Sequence, residues 1–460
     1  MPVNVIDSVL FGGLFGSARM RVHFEERALL QRWLDYEAAL ARAQASLGLV
    51  PVEAADEITR QARAEHFDLE SIREGIDRTV HPLVPLVWQL AGRCEGDAGR
   101  WVHWGATTQD VMDTATILQL RDALALIDET TADLAGILAG LAQRHRATAM
   151  AGRTHGQQAL PITFGFKVAG WLAELKRHRG RLLRAREGSL MGQFGGAVGT
   201  LAGMGEGDVD ALAVQRALMA ELGLRVPPIA WHSSRDSPVE CAVVMGMTGA
   251  LCGRIANEII ELQKTGLEEV EEPHASGKVG SSTMPQKRNP MLCESILTLA
   301  RLTQAQVAVA MDTLVYNEHE RDWSAVQMEW AWVPELCVMC QGALELTSRV
   351  LAGLKVNEAR MRQNLDLTGG LLLAERVMFA LAPQLGRQEA HDVVHACAMA
   401  AHEQGRSFSD LLAADPRVNP HLSGEQISRL LDPTGYTGLA AEFVDRVLAD
   451  RGGEPFAPDS

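Results

Sequence analysis

The feature that most constrains this chain is an apolar stripe in residues 116–145. Ile117, Leu120, Leu124, Ile127, Thr131, Leu134, Leu138 and Leu141 recur by threes and fours. That period matches one face of an α-helix with a bundle-like seam and excludes a strand, whose side chains alternate by twos. Similar stripes run through Phe164, Val168, Leu172 and Leu175, and through Val244, Thr248, Leu251, Ile255, Ile259 and Leu262. Further helical blocks follow at 293–315 and 334–352, and no alternating β-branched run competes. The middle of the chain therefore reads as a bundle of five long helices. Shorter helices flank it, one at 25–48 and a set from about 357 broken at Pro416, Pro420 and Pro433. Helices this long outrun one subunit's core, so their apolar faces predict an oligomer.

Composition narrows the function. The 460 residues carry 43 basic and 58 acidic side chains, for a formal charge of -15. That balance argues against a nucleic-acid partner, which needs a basic face. It leaves room for an anionic substrate held by a few local cations. With 47% hydrophobic and 22% charged residues the chain reads as globular. No uncharged run approaches a membrane span, and the N-terminal stretch lacks the basic region of a signal peptide. The 7 scattered cysteines suit reduced thiols and a cytoplasmic setting. Cys337 and Cys340 form a C-x-x-C inside an apolar helical pattern and read as core.

Three polar islands interrupt the helices. RWVHWGATTQD, 100–110, has hydroxyls and backbone N–H groups suited to holding a carboxylate at Thr107, Thr108 and Gln109. The plainer reading is that Thr107 or Thr108 caps a helix starting near Val111. AGRTHGQQALPITFG, 151–165, presents Arg153, Thr154, His155, Gln157 and Gln158 in a polar turn, then Pro161 as a helix start. A lone histidine is often structural, but one in a glycine-flanked polar turn suits proton transfer equally well. The third island, EEVEEPHASGKVGSSTMPQKRNP, is too long to be a plain connection and reads as a lid, with Gly277 and Gly280 as hinges. Lys278, Lys287 and Arg288 suggest that it binds an anion, and the P-loop pattern is absent.

These islands, in this order, resemble the fumarase/aspartase superfamily, whose members carry regions like HWGATTQD and GRTHGQ and a signature close to G-S-S-x-M-P-x-K-x-N-P. The third island reads GSSTMPQKRNP, and the resemblance extends to LLDPTGYTG near the C-terminus. It implies an all-α fold of three helical domains: 1–112, a central five-helix bundle over 113–356 with a catalytic loop at 269–290, and 357–460. It implies a homotetramer with a twenty-helix core, each active site assembled from three subunits, and no metal or organic cofactor.

Carried over residue by residue, Ser281 is expected to be the catalytic base and His155 the proton donor or relay at the leaving group. Lys287 and Asn289 are expected to hold a substrate carboxylate, with Ser282 and Met284 beside them. Thr107, Thr108 and Gln109 are expected to form the pocket for the other carboxylate. Arg153, Thr154, Gln158, Arg235 and Arg321 are expected to contact substrate, with Trp323 near the leaving group. A serine can act as a base only where cations and N–H donors favour its alkoxide.

The reaction implied is removal of a proton beside a carboxylate of a di- or tricarboxylate, with elimination or addition at the neighbouring carbon. VHWGATTQDVMDTA, QFGGAVGTLA and NLDLTGGLLLAERV look like the bacterial 3-carboxy-cis,cis-muconate cycloisomerase branch. ERDWSAVQMEW departs from that branch by lacking a W-H pair, and the chain lacks the N-terminal Arg-Tyr of adenylosuccinate lyases. The alternatives are a C–N lyase releasing fumarate from an N-substituted aspartate, or a non-catalytic helical protein on the same scaffold.

Overall fold

The computed structural model describes residues 4–204, 210–274, 283–284, 286–316 and 318–450. The N-terminal part holds α1 (Ala18–Arg21), α2 (Glu26–Ser46), α3 (Val52–Gln61), α4 (Leu69–Thr79) and α5 (Val84–Arg93). The five long helices are α6 (Thr108–Arg144), α7 (Phe164–Ser189), α9 (Asp236–Gln263), α10 (Met291–Asp312) and α11 (Trp323–Ala352), with α8 (Ala211–Leu222) between α7 and α9. The C-terminal helices are α12 (Glu358–Leu365), α13 (Ala374–Leu385), α14 (Arg387–Gln404), α15 (Phe408–Ala414), α16 (Gly424–Leu430) and α17 (Ala440–Ala449). Among the described residues there are two small antiparallel strand pairs. They are β1 (Ala149–Thr154) with β2 (Gln157–Thr163), and β3 (Val270–Glu271) with β4 (Lys355–Val356).

The stripe that announced α6 is buried throughout, with every one of its eight residues at most 1% exposed. The stripes of α7 and α9 are buried as well. Cys337 and Cys340 pack in the core beside Met245, and burial pushes both thiols far above their ordinary pKa. By length and composition α9 could cross a membrane, but most of its apolar stretch is buried inside the protein.

The chain forms two compact units, and the long helices contribute to both. Unit 1 comprises Met1–Ala132, His178–Gly253 and Ser295–Glu345. Its helices approach closely where small residues line α9. A Cβ on Gly246 would lie 2.5 Å from Val307 of α10, and one on Gly253 would lie 2.8 Å from Ala300. Unit 2 comprises Asp133–Arg177, Arg254–Glu294 and Leu346–Ser460. Its C-terminal core gathers Val377, Leu381, Val393, Phe408, Leu412 and Ile427 from α13 to α16. A capping box between Ser423 and Gln426 starts α16.

Candidate active site

In unit 1 the first island leads into α6, which begins at Thr108 rather than near Val111. Thr107 stands just before the helix, where its carbonyl accepts the Asp110 N–H at 3.0 Å. The Asp110 carboxylate accepts the Thr107 N–H at 3.0 Å. The Thr107 hydroxyl accepts from Arg321 at 3.2 Å, and the second Arg321 amino group donates to the Ala197 carbonyl at 2.9 Å. The Thr108 hydroxyl lies 3.4 Å from His81 Nε2. His81 Nδ1 accepts the Val84 N–H at 3.2 Å, which assigns the ring proton to Nε2. Burial lowers the His81 pKa, and the nearby His103 lowers it further. His81 is a residue that the sequence reading missed. It sits in the turn TVHPLVP, where only the folded chain brings it beside Thr108.

Two expectations in this unit are corrected. Gln109 is fully buried, and its amide nitrogen donates to Asp113 at 3.1 Å and to the His232 carbonyl at 2.8 Å. Arg235 is equally enclosed. Its guanidinium meets both oxygens of Asp113, at 2.9 and 3.0 Å, and both oxygens of Glu329. Burial raises the Glu329 pKa even against the attraction of Arg235. All three nitrogens of Arg235 are therefore engaged inside the protein, and this is an ion triad of the core rather than a substrate contact.

In unit 2 the second island is a β-hairpin, not a turn leading straight to a helix. Thr154 pairs with Gln157 across a two-residue loop, His155–Gly156. Both loop residues have positive φ, 52° and 75°, as a type I′ hairpin turn requires. Pro161 lies in β2 opposite Ala151, and the helix starts at Phe164. His155 thus stands exposed at the tip with Thr154 beside it.

The hairpin is held from one side. Arg153 and Gln158 pair across the strands. Arg153 donates to both oxygens of the buried Glu269, at 2.9 and 2.7 Å. Asn364 of α12 donates to the same carboxylate at 2.8 Å, and Gln158 donates to the Asn364 carbonyl at 2.7 Å. These contacts anchor the hairpin through Arg153 and Gln158.

The third island lies partly outside the described residues, Ser281 and Ser282 included. Its acidic lead-in is structural. Glu271 pairs with Arg288, whose side chain stays exposed. Glu272 accepts the Leu292 and Cys293 N–H groups at 3.2 and 3.0 Å, so a carboxylate of the chain itself caps α10. Gln263 donates to the Arg288 carbonyl at 3.0 Å. The Lys287 N–H donates to the Met284 carbonyl at 3.0 Å. Lys287 and Met284 are exposed and Asn289 is half-buried at the entry to α10.

Residues 16–305 match the lyase family, and residues 370–447 match the adenylosuccinate lyase C-terminus. The chain belongs to this lyase family, the fumarase/aspartase superfamily, as the three islands and the helical fold both indicate. It is 44% identical over 98% of both chains to 3-carboxy-cis,cis-muconate cycloisomerase of Pseudomonas aeruginosa. It is 42% identical to N-acetyl-S-(2-succino)cysteine lyase of Dickeya dadantii, over 97% of this chain and 98% of that one. Among solved structures, 3-carboxy-cis,cis-muconate lactonizing enzyme from Pseudomonas putida superposes with a TM-score of 0.91 at 41% identity, covering 96% of this chain and 98% of that one. Fumarate lyase from Mesorhizobium sp. BNC1 gives 0.89 at 41% identity, over 95% and 99%.

Proposed function

We propose that this lyase removes a proton from the carbon beside a carboxylate and eliminates or adds a group at the neighbouring carbon of a succinyl-type acid. Cycloisomerisation of 3-carboxy-cis,cis-muconate is the preferred reaction. The carrying observation is His155, exposed at the tip of an anchored type I′ hairpin. A donor there stays put while its imidazole reaches outward to a leaving group.

In this reading Ser281 takes the proton and His155 returns one to the departing oxygen, nitrogen or sulfur. Lys287 and Asn289 stabilise the charge that develops on the substrate carboxylate, while Thr107 and Thr108 hold the second one. Electrostatic stabilisation of this kind contributes most to the rate when so weak an acid is deprotonated. The three-domain division at 112 and 356 and the homotetramer with shared sites belong to the same proposal. The exposure of His155 and Lys287 in the single chain supports the shared site.

A fumarate-releasing lyase is the second reading. It is favoured by the α11 segment, where Trp323 and Trp330 pack edge to face at 5.9 Å and Gln327 lies exposed between them in sequence. An ultraviolet assay separates the two. The panel is 3-carboxy-cis,cis-muconate, adenylosuccinate, N-substituted aspartates and N-acetyl-S-(2-succino)cysteine. Loss of muconate absorbance without fumarate supports the first reading, and fumarate release from another panel member supports the second. An assembled enzyme inert on the whole panel sinks both. Ser281→Ala should keep the oligomer and lower turnover by about 100-fold or more, and Lys287→Met should mainly raise KM. Activity should vanish on dilution to monomers, and an active monomer would refute the shared site.

A further inference from the structure

One buried carboxylate in unit 1 has no place in the chemistry above, yet four donors converge on it. Asp110 is fully buried. Its Oδ2 accepts the Thr107 and Gly196 N–H groups, both at 3.0 Å. Its Oδ1 accepts the Gly195 N–H at 3.0 Å and meets His232 Nε2 at 2.7 Å. These contacts use the roughly four acceptor sites of a carboxylate.

A capping role explains only the first contact. An acid in the first helical turn that accepts the N–H of the residue just before the helix is half of a capping box, and a surface side chain suffices for it. The other three donors come from residues 85, 86 and 122 positions away. The turn that supplies two of them is shaped for this approach. A Cβ on Gly195 would lie 3.0 Å from Ala230 and 3.1 Å from the His232 ring, and Gly196 has φ +69°. The same two segments are tied again by Arg321, which bridges the Thr107 hydroxyl and the Ala197 carbonyl.

We propose that Asp110 is a positioning residue: its carboxylate locks the start of α6 to the Gly195–Gly196 turn and to His232, and so fixes where Thr107 and Thr108 present their hydroxyls to a substrate carboxylate. This rests on the reading of Thr107 and Thr108 as a carboxylate pocket. The carboxylate is closed off from solvent, so a change at Asp110 leaves its donors without a substitute acceptor and moves the backbone that carries both threonines.

The test is Asp110→Asn in the full-length assembled protein, with 3-carboxy-cis,cis-muconate or whichever panel acid the wild type turns over. Asn keeps the shape but sets an N–H group against N–H donors. A misplaced pocket should lower kcat/KM by about 100-fold, with KM carrying the larger share. Asp113→Asn, one turn further along α6 in the Arg235 triad, should lower the thermal midpoint and leave KM unchanged. An assembled Asp110→Asn protein with wild-type KM overturns the proposal. Thr107→Val and Thr108→Val separate its two supports. If they leave KM unchanged, the carboxylate-pocket reading fails and the positioning role falls with it. If they raise KM while Asp110→Asn does not, the positioning role alone fails. Should Asp110→Asn not assemble, His232→Phe removes one of the four donors and keeps a ring in place. It should raise KM in the same direction, and an unchanged KM counts against the proposal.

Discussion

Arg153 and Glu269, 116 residues apart in sequence, form a two-pronged ion pair at 2.9 and 2.7 Å next to the turn-closing pair of the hairpin that carries His155. Glu269 is fully buried and also accepts from Asn364, so the hairpin and α12 share one carboxylate. Glu269→Gln leaves the guanidinium without its counter-charge. Breaking such a pair should cost about 3–5 kcal/mol of stability. Turnover should fall with it, because the hairpin no longer fixes His155. Chemical denaturation and steady-state kinetics check the two effects, and an unchanged kcat in the folded variant would separate the anchor from catalysis.

His155 occupies a left-handed backbone position that few side chains tolerate. Asparagine is one of them, so His155→Asn should fold and assemble like the wild type while losing proton transfer. The expected fall in turnover is about 10²- to 10⁴-fold. His155→Val, β-branched at positive φ, should in addition lower the thermal midpoint. Equal midpoints for the two variants would argue against the strained-turn account.

The Arg235 triad predicts a different pattern. Arg235→Met leaves Asp113 and Glu329 facing one another without their cation in a site closed to water. The expected loss is about 3–5 kcal/mol. The variant that still folds should keep the wild-type KM, since Arg235 touches no open surface. A raised KM at normal stability would restore Arg235 as a substrate contact.

His103 gives stability a pH dependence. Burial disfavours its cation, but the Glu37 carboxylate at 2.6 Å outweighs burial and raises its pKa. A raised folded pKa adds stability that is complete below the unfolded value of about 6.5 and is lost as pH rises through the folded value. Glu37→Gln should therefore lower the thermal midpoint most near pH 6 and progressively less toward about pH 9. A constant difference across that range would exclude the His103–Glu37 pair as the source.

The sequence by itself determined the helices and the sites of polar interruption. The stripe from Ile117 to Leu141 fixed which face of α6 is buried, because helical period and burial are local properties of the chain. The three islands were legible for the same reason, as they hold little that could pack a core. What only the tertiary structure decided was the work of each charged group. Arg153, Arg235 and Arg288 read alike as possible anion binders, yet each has a carboxylate partner inside its own unit. Asp110 was given no role from sequence, yet it gathers donors from two distant segments. His81 gave no signal at all, and only folding sets it beside Thr108. The reason is physical. A side chain's own chemistry sets what it can bind, but burial and the partners brought from distant sequence set what remains free to bind a substrate.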